Sequence, residues 1–262
     1  MEFVDTHTHI YGEQFEEDIE DVIARAKEKG VTRLYMPNID TGSIDAMLSL
    51  EARFPDVCIP MMGLHPTSVK GDYEKELSVV EEYLKKRSFV AMGEIGIDLY
   101  WDKTFFEQQK KAFVRQINWA KDLDIPIVIH SRDSIPQIIK ILKEEKDAKL
   151  RGVFHCFTGN AKEAEEIVGL GFKLGIGGVL TFKNSKLYKS LVNVPLEEIV
   201  LETDAPYLAP HPFRGERNES SYIPIIAKKL AAIKEVSVEE VAKVTTVNSL
   251  KVFKNRQIHT GN

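Results

Sequence analysis

Short apolar runs recur along the chain, separated by stretches in which apolar residues return at helical spacing. The strand-like runs are FVDTHTH (3–9), VTRLYMPN (31–38), VCIPMMGLH (57–65), FVAMGEIGID (89–98), IPIVIHS (125–131), RGVFHCF (151–157), GFKLGIGG (171–178) and EIVLETD (198–204). Their length and apolar content predict parallel strands covered on both faces. Between the first two runs, EEDIEDVIARAKEKG (16–30) puts Ile19, Val22, Ile23 and Ala26 on one helical face and stops at Gly30. Stretches 105–123 and 134–146 behave alike, and a helical pair near 222–234 and 237–253 closes the chain. Eight strand–helix units predict an α/β fold of the (β/α)8 TIM-barrel type. A single domain over residues 1–262 is expected, its catalytic core running to about 254 and a polar tail covering 255–262. The alternative, an open doubly wound sheet, would want a glycine-rich phosphate loop after the first strand. None follows residues 3–9.

Composition changes this picture little. The 262 residues are 43% hydrophobic, ample for a large core. A length well over ~150 residues would also fit two domains, but one barrel commonly takes ~250. The net charge of -5 gives no global attraction to a polyanion, so a nucleic-acid partner would need a local basic patch or a metal. Cys58 and Cys156 stand far apart, which predicts free thiols and a reducing compartment. No basic-then-apolar leader and no apolar stretch of ~18 residues is seen. The expectation is a cytoplasmic protein with no membrane association. Nothing in the sequence calls for an obligate protein partner.

The chemistry lies in what ends each apolar run. Run one ends in His7 and His9, run three in His65, run five in His130, and run six reaches His155. Run four carries Glu94 and Asp98, and run eight carries Glu202 and Asp204, with His211 soon after. In this barrel the active site forms at the C-terminal strand ends, so the fold would gather these groups at one mouth. Strand alternation turns His7 and His9 the same way, with Asp5 sharing their parity. One such pair is a weak signal. Several strands delivering imidazoles and carboxylates to one place is a strong one, because burying them without a cation among them is costly. Metal binding is therefore expected.

At this level of detail the chain resembles the TatD-type metal-dependent deoxyribonucleases, a branch of the amidohydrolase-like barrels. The motifs run in family order over nearly the whole chain: DTHTH (5–9), GLHP (63–66), GEIGID (93–98), HSRD (130–133), HCFTG (155–159), LETDAPYLAP (201–210) and RGERNE (214–219). The resemblance implies two divalent cations, with zinc, manganese, nickel or magnesium as candidates. His7, His9 and Asp204 would hold one, His130 and His155 the other, and Glu94 would bridge them. The sequence departs from the family where Glu216 stands for a usual lysine and Ser220 for a usual proline, which removes a positive charge near the mouth.

The implied reaction is metal-dependent hydrolysis of ester bonds, first of all a deoxyribonuclease acting as an exonuclease on single-stranded DNA or DNA ends. Divalent ions acidify a water and neutralise phosphate charge. The catalytic candidates are Asp204 as general base, Glu94 and His65. The substrate-binding candidates are His65, Arg132 and Arg214, since a guanidinium can pair two phosphate oxygens. The bland counterparts are surface ion pairs for the arginines and a backbone-bonded buried histidine for His65. Asp5 and Glu202 could orient ligand histidines. Tyr100 and Trp101 could stack on a base or simply pack. Two rival functions remain open: a D-aminoacyl-tRNA deacylase-like ester hydrolase on the same site, and an inactive metal-binding scaffold.

Overall fold

The computed structural model describes residues 1–253. The predicted tail 255–262, with His259, lies outside the described residues. Eight strands form: β1 (Phe3–Asp5), β2 (Val31–Met36), β3 (Cys58–Pro60), β4 (Met92–Asp98), β5 (Ile127–Arg132), β6 (Gly152–Phe154), β7 (Phe172–Ile176) and β8 (Ile199–Leu201). Helices lie between them: α1 (Ile19–Glu28), α2 (Ile44–Arg53), α3 (Tyr73–Lys86), α4 (Phe106–Leu123), α5 (Ile135–Glu144), α6 (Ala161–Gly169) and α7 (Leu187–Leu191). After β8 come α8 (Ile223–Lys234) and α9 (Val238–Val252).

The strands occupy the predicted runs but most are shorter. The runs continue past the paired ladder because the same backbone goes on to make single bonds in the loops that carry the polar groups. Helix α1 ends as its sequence demands: Gly30 has φ +81, and a Cβ there would come within 2.4 Å of the Met1 carbonyl oxygen.

All the pairing is parallel, in two sets, β1-β2-β3 and β4-β5-β6-β7-β8. Two seams join the sets. At one, Met62 bridges Met92, and the Gly93 amide donates to the Met62 carbonyl at 3.0 Å. At the other, Thr8 bridges Ala205, while Thr6 donates to the Leu201 carbonyl at 3.0 Å and Asp204 to the His7 carbonyl at 2.9 Å. The ring of strands is thereby a TIM barrel, and the second seam sets His7 and His9 beside Asp204.

The core has two parts. One buried cluster lies where the helices cover the strands and takes in Leu34, Ile95, Ile129, Leu174 and Ile199. A smaller one contains Val4, Tyr35, Met61, Ala91, Val128, Val153 and Val200, drawn from nearly every strand or its flank, with Val252 and Phe253 from the chain's last described turn. Phe253 stacks on Tyr35 with ring centroids 4.4 Å apart. This is the barrel interior plugged from below, and it explains where the donors go. Strand side chains alternate with period two, so Val128 predicts the direction of His130, Val153 that of His155, and Val200 that of Glu202. In β5, β6 and β8 a valine buried in the barrel thus stands directly below a polar group.

Candidate metal centre

Glu94, on β4, is 2% exposed and sits at the middle of the mouth. Its two oxygens face different imidazoles. Oε2 lies 3.0 Å from His7 Nε2 and 3.5 Å from His9 Nε2. Oε1 lies 2.8 Å from His130 Nδ1, 3.3 Å from His65 Nε2 and 3.7 Å from His155 Nε2. Asp204 Oδ1 is 3.8 Å from His7 Nε2 and 3.7 Å from the Nε2 atoms of both His9 and His155. Asp204 holds a left-handed backbone, φ 59, just past β8, and Cys156 does the same past β6 at φ 46. Non-glycine residues adopt this conformation at a cost and cluster at functional sites.

The donor set fits metal. His7 Nε2 and His9 Nε2 face each other at 3.2 Å. Nitrogen and oxygen ligands at ~2.0–2.2 Å in tetrahedral array stand roughly 3.3–3.6 Å apart, close to the separations around both oxygens of Glu94. The outer ring atoms support this. Tyr11 donates its hydroxyl proton to the Pro37 carbonyl at 2.6 Å, so its oxygen accepts from His9 Nδ1 at 3.0 Å. The His9 Nε2 lone pair then points inward. His130 Nε2 is bound to Asp98 Oδ2 at 2.8 Å, which leaves Nδ1 for the centre. Tyr11 and Asp98 are thus outer partners of the kind that fix tautomer and ring orientation in ligand histidines. His155 Nδ1 lies 3.0 Å from Glu202 Oε1, a charge contact without hydrogen-bond alignment. The Nδ1 of His7 is buried without a hydrogen-bond partner among the described residues.

His65 is the exception. Its Nδ1 accepts from the Thr67 amide at 3.2 Å and lies 2.6 Å from the Thr67 hydroxyl. The ring proton must then sit on Nε2, which faces Glu94. In its neutral form His65 offers the centre a hydrogen-bond donor and no lone pair.

Burial and charge act together here. Burial lowers His7, and His155 lowers it further, so it stays neutral well below its ordinary range. Burial also lowers His65. Burial opposes the charge on Glu94, but His65, His7 and His155 hold its carboxyl well below the usual range. Against burial, the carboxylates of Glu202, Glu94 and Asp204 lift His155 to about 10, and Asp98 and Glu94 raise His130. Burial lifts Asp204 to about 6. The mouth thus holds carboxylates that seek cations. Metal ligation replaces imidazole protons, and binding releases them.

Several expectations need adjusting. Asp5 does not orient an imidazole. It accepts from the backbone amides of His7 (3.3 Å) and Thr203 (2.9 Å) and from the hydroxyls of Thr203 (2.5 Å) and Ser220 (2.7 Å). It therefore ties β1 to the turn that carries Asp204. Ser220, in place of the family's proline, is one of its donors. His211 is exposed and outside the cluster. Arg132 and Arg214 are also exposed, and among the described residues neither has a carboxylate partner. Arg132 lies 4.0 Å over the Tyr100 ring and Arg214 lies 3.7 Å over the Phe182 ring. Tyr11 and Thr67 escaped sequence reading, although each stands two positions beyond the histidine it serves.

Comparison with known proteins bears on the family and the fold. A family model described as TatD related DNase matches residues 4–254. The uncharacterized metal-dependent hydrolase YabD of Bacillus subtilis is 39% identical over 251 residues, covering 95% of this chain and 98% of the relative. The uncharacterized metal-dependent hydrolase YcfH of Escherichia coli is 32% identical, covering 97% and 96%. The crystal structure of YjjV, a TatD homologue from Escherichia coli, superposes with a TM-score of 0.91 at 30% identity, covering 97% of this chain and 98% of that one.

Proposed function

The chain belongs to the TatD-related DNase family of metal-dependent hydrolases, and on that premise we propose that it hydrolyses DNA phosphodiesters, as an exonuclease on single-stranded DNA or DNA ends, with two divalent cations. The observation that carries this reading is the divided carboxylate of Glu94, with Oε2 toward His7 and His9 and Oε1 toward His130 and His155. A carboxylate so placed suits cations ~3.5–4 Å apart, the spacing of two-metal phosphodiesterases. His7, His9 and Asp204 would hold one ion and His130 and His155 the other. Such ions supply an acidified water and neutralise phosphate charge.

The chain's own residues supply the rest. Asp204, whose Oδ1 faces the Nε2 atoms of His7, His9 and His155, accepts the proton of the attacking water. His65 points its Nε2–H into the same space and donates to a phosphate oxygen. Arg132 and Arg214, without carboxylate partners among the described residues, approach the phosphates along the mouth. Glu216 does not add to that positive charge. The free thiols of Cys58 and Cys156 suit a cytoplasmic setting.

The test is to incubate zinc- or manganese-loaded protein with single-stranded DNA and, separately, with a D-aminoacyl-tRNA. Nucleotide release from DNA is expected, and it should vanish in Asp204→Asn while bound metal, measured by elemental analysis, is retained. Release of amino acid without nucleotide would replace this reading with ester hydrolysis. Turnover of neither substrate would leave a metal-binding scaffold.

A further inference from the structure

The loop after β4 holds two large aromatic side chains in solvent. Tyr100 is 54% exposed and Trp101 69%. Their rings meet edge to face, centroids 5.0 Å apart and planes at 86°. Single exposed apolar side chains need no explanation, but this pair stands on a backbone that is firmly held. Asp98 Oδ1 accepts from the Tyr100 and Trp101 amides, both at 2.9 Å. Gln109 receives the Asp98 amide at 2.8 Å and donates to the Asp98 carbonyl at 3.2 Å. Asp102 caps the Thr104 amide at 2.8 Å and pairs with Lys70 at 3.3 Å. The loop spends its polar groups on its own shape and leaves both rings uncovered.

Arg132, at the end of β5, completes the group. Its guanidinium lies 4.0 Å above the Tyr100 ring centroid and 5.4 Å from that of Trp101. The surface thus offers two aromatic rings and one cation that has no carboxylate partner among the described residues. The cluster also adjoins the centre directly, because the Asp98 carboxylate that fixes the loop binds His130 through its other oxygen at 2.8 Å.

The geometry points to a nucleobase shelf: the base at the end of a single-stranded polynucleotide stacks on the Trp101 ring, with the Tyr100 ring standing nearly perpendicular beside it, while Arg132 pairs with its phosphate. A nucleotide is the ligand that joins a flat π face to an anion at this spacing, and base–aromatic stacking tolerates any sequence. The inference rests on the phosphodiesterase reading and names the part of the substrate that reading leaves unspecified.

The test uses zinc-loaded protein carrying Trp119→Phe, so that Trp101 is the one remaining tryptophan. The probe is a short single-stranded oligonucleotide with phosphorothioate linkages, with either a normal or an abasic terminal residue. Saturable quenching of Trp101 fluorescence by the normal probe is expected. The abasic probe should bind about 5- to 150-fold more weakly, the range for losing one stacked base. By anisotropy of a labelled probe, Trp101→Ala should lose a similar factor and Trp101→Phe should keep most of it. Equal binding of the two probes, or unchanged affinity in Trp101→Ala, overturns the shelf. Hydrolysis of the unmodified oligonucleotide is assayed separately. Base-dependent binding without hydrolysis upholds the shelf and removes the exonuclease reading, whereas hydrolysis with base-independent binding overturns the shelf alone.

Discussion

Asp98→Asn should uncouple one cation from the other without changing the shape of the site. Asp98 is 1% exposed and uses both oxygens. Oδ1 accepts from two backbone amides and Oδ2 from His130 Nε2. Burial opposes its charge, yet His130 and the Trp101 amide hold its carboxyl at about 2. An asparagine has one acceptor and one donor group to distribute. Turning its NH2 toward the amides would leave two donors facing a donor, at ~1–3 kcal/mol for each unpaired group. Its oxygen therefore stays with the amides, and its NH2 faces His130. His130 must then accept at Nε2 and carry its proton on Nδ1, the atom 2.8 Å from Glu94 Oε1. The lone pair that faced the centre is lost. Loss of an outer partner typically costs 10–100-fold in metal affinity, or about 1.4–2.7 kcal/mol. Titration calorimetry with zinc on metal-free protein should resolve one site weakened by that factor and one unchanged, the latter at His7 and His9. The melting curve should move little, since the loop stays capped. Two sites of wild-type affinity would show that the tautomer of His130 is not what Asp98 controls, and the reasoning would fail.

Other substitutions probe the same shell from different sides. Glu94→Ala removes the group shared by both donor sets, so elemental analysis should find less metal at both positions; loss of one equivalent only would argue against bridging. Gly175→Ala puts a Cβ 2.3 Å from Glu202 Oε2. Glu202 must move away from its position beside His155 Nδ1, and zinc should bind roughly 10–100-fold more weakly; unchanged affinity would mean Glu202 does not set that ring. Burial lifts Asp5 from 3.8 to about 7 despite its donors from Thr203 and Ser220. The folded state then binds a proton that the unfolded state has released between about pH 4 and pH 7, so this group makes stability fall as pH rises through that window. The upper bound, at 1.36 kcal/mol per unit, is roughly 4 kcal/mol. Urea melts of metal-free protein should show this slope in the wild type and a flatter one in Asp5→Asn; parallel curves would refute the assignment.

Much of this was legible in the sequence because period-two alternation is local. The runs ending at His130 and His155 state their own direction once Val128 and Val153 are recognised as interior. That the strand ends would gather His7, His9, His65, Glu94, Asp98, His130, His155, Glu202 and Asp204 followed from the barrel; the choice of six ligands among them came from the family resemblance. What stayed hidden depends on register between elements. That Asp98 serves His130 requires the β4–β5 ladder, in which Asp98 pairs with Arg132 and Gly96 with His130. That Asp5 holds the Asp204 turn requires the seam between β1 and β8. The sequence could not show that Arg132 and Arg214 rest on aromatic rings; that placement removes the surface ion pair that was the alternative to phosphate binding, among the described residues.

Five imidazoles of one residue type meet at this mouth and cannot all do the same work. For His9, His130 and His65, what divides them is the group behind the ring. An acceptor behind the ring, such as Tyr11 behind His9 or Asp98 behind His130, takes the outer proton and turns a lone pair toward a cation. A donor behind the ring, the Thr67 amide behind His65, sends the proton inward toward an anion. Because that donor is backbone, held in the short helical turn Pro66–Ser68, replacing the Thr67 side chain should leave the role of His65 intact. Thr67→Val should therefore retain both metal equivalents and nearly all hydrolytic activity, whereas His65→Gln should retain metal and lose phosphate affinity. If Thr67→Val instead converted His65 into a metal ligand, detected as a third bound equivalent, the backbone amide would not be what decides the tautomer.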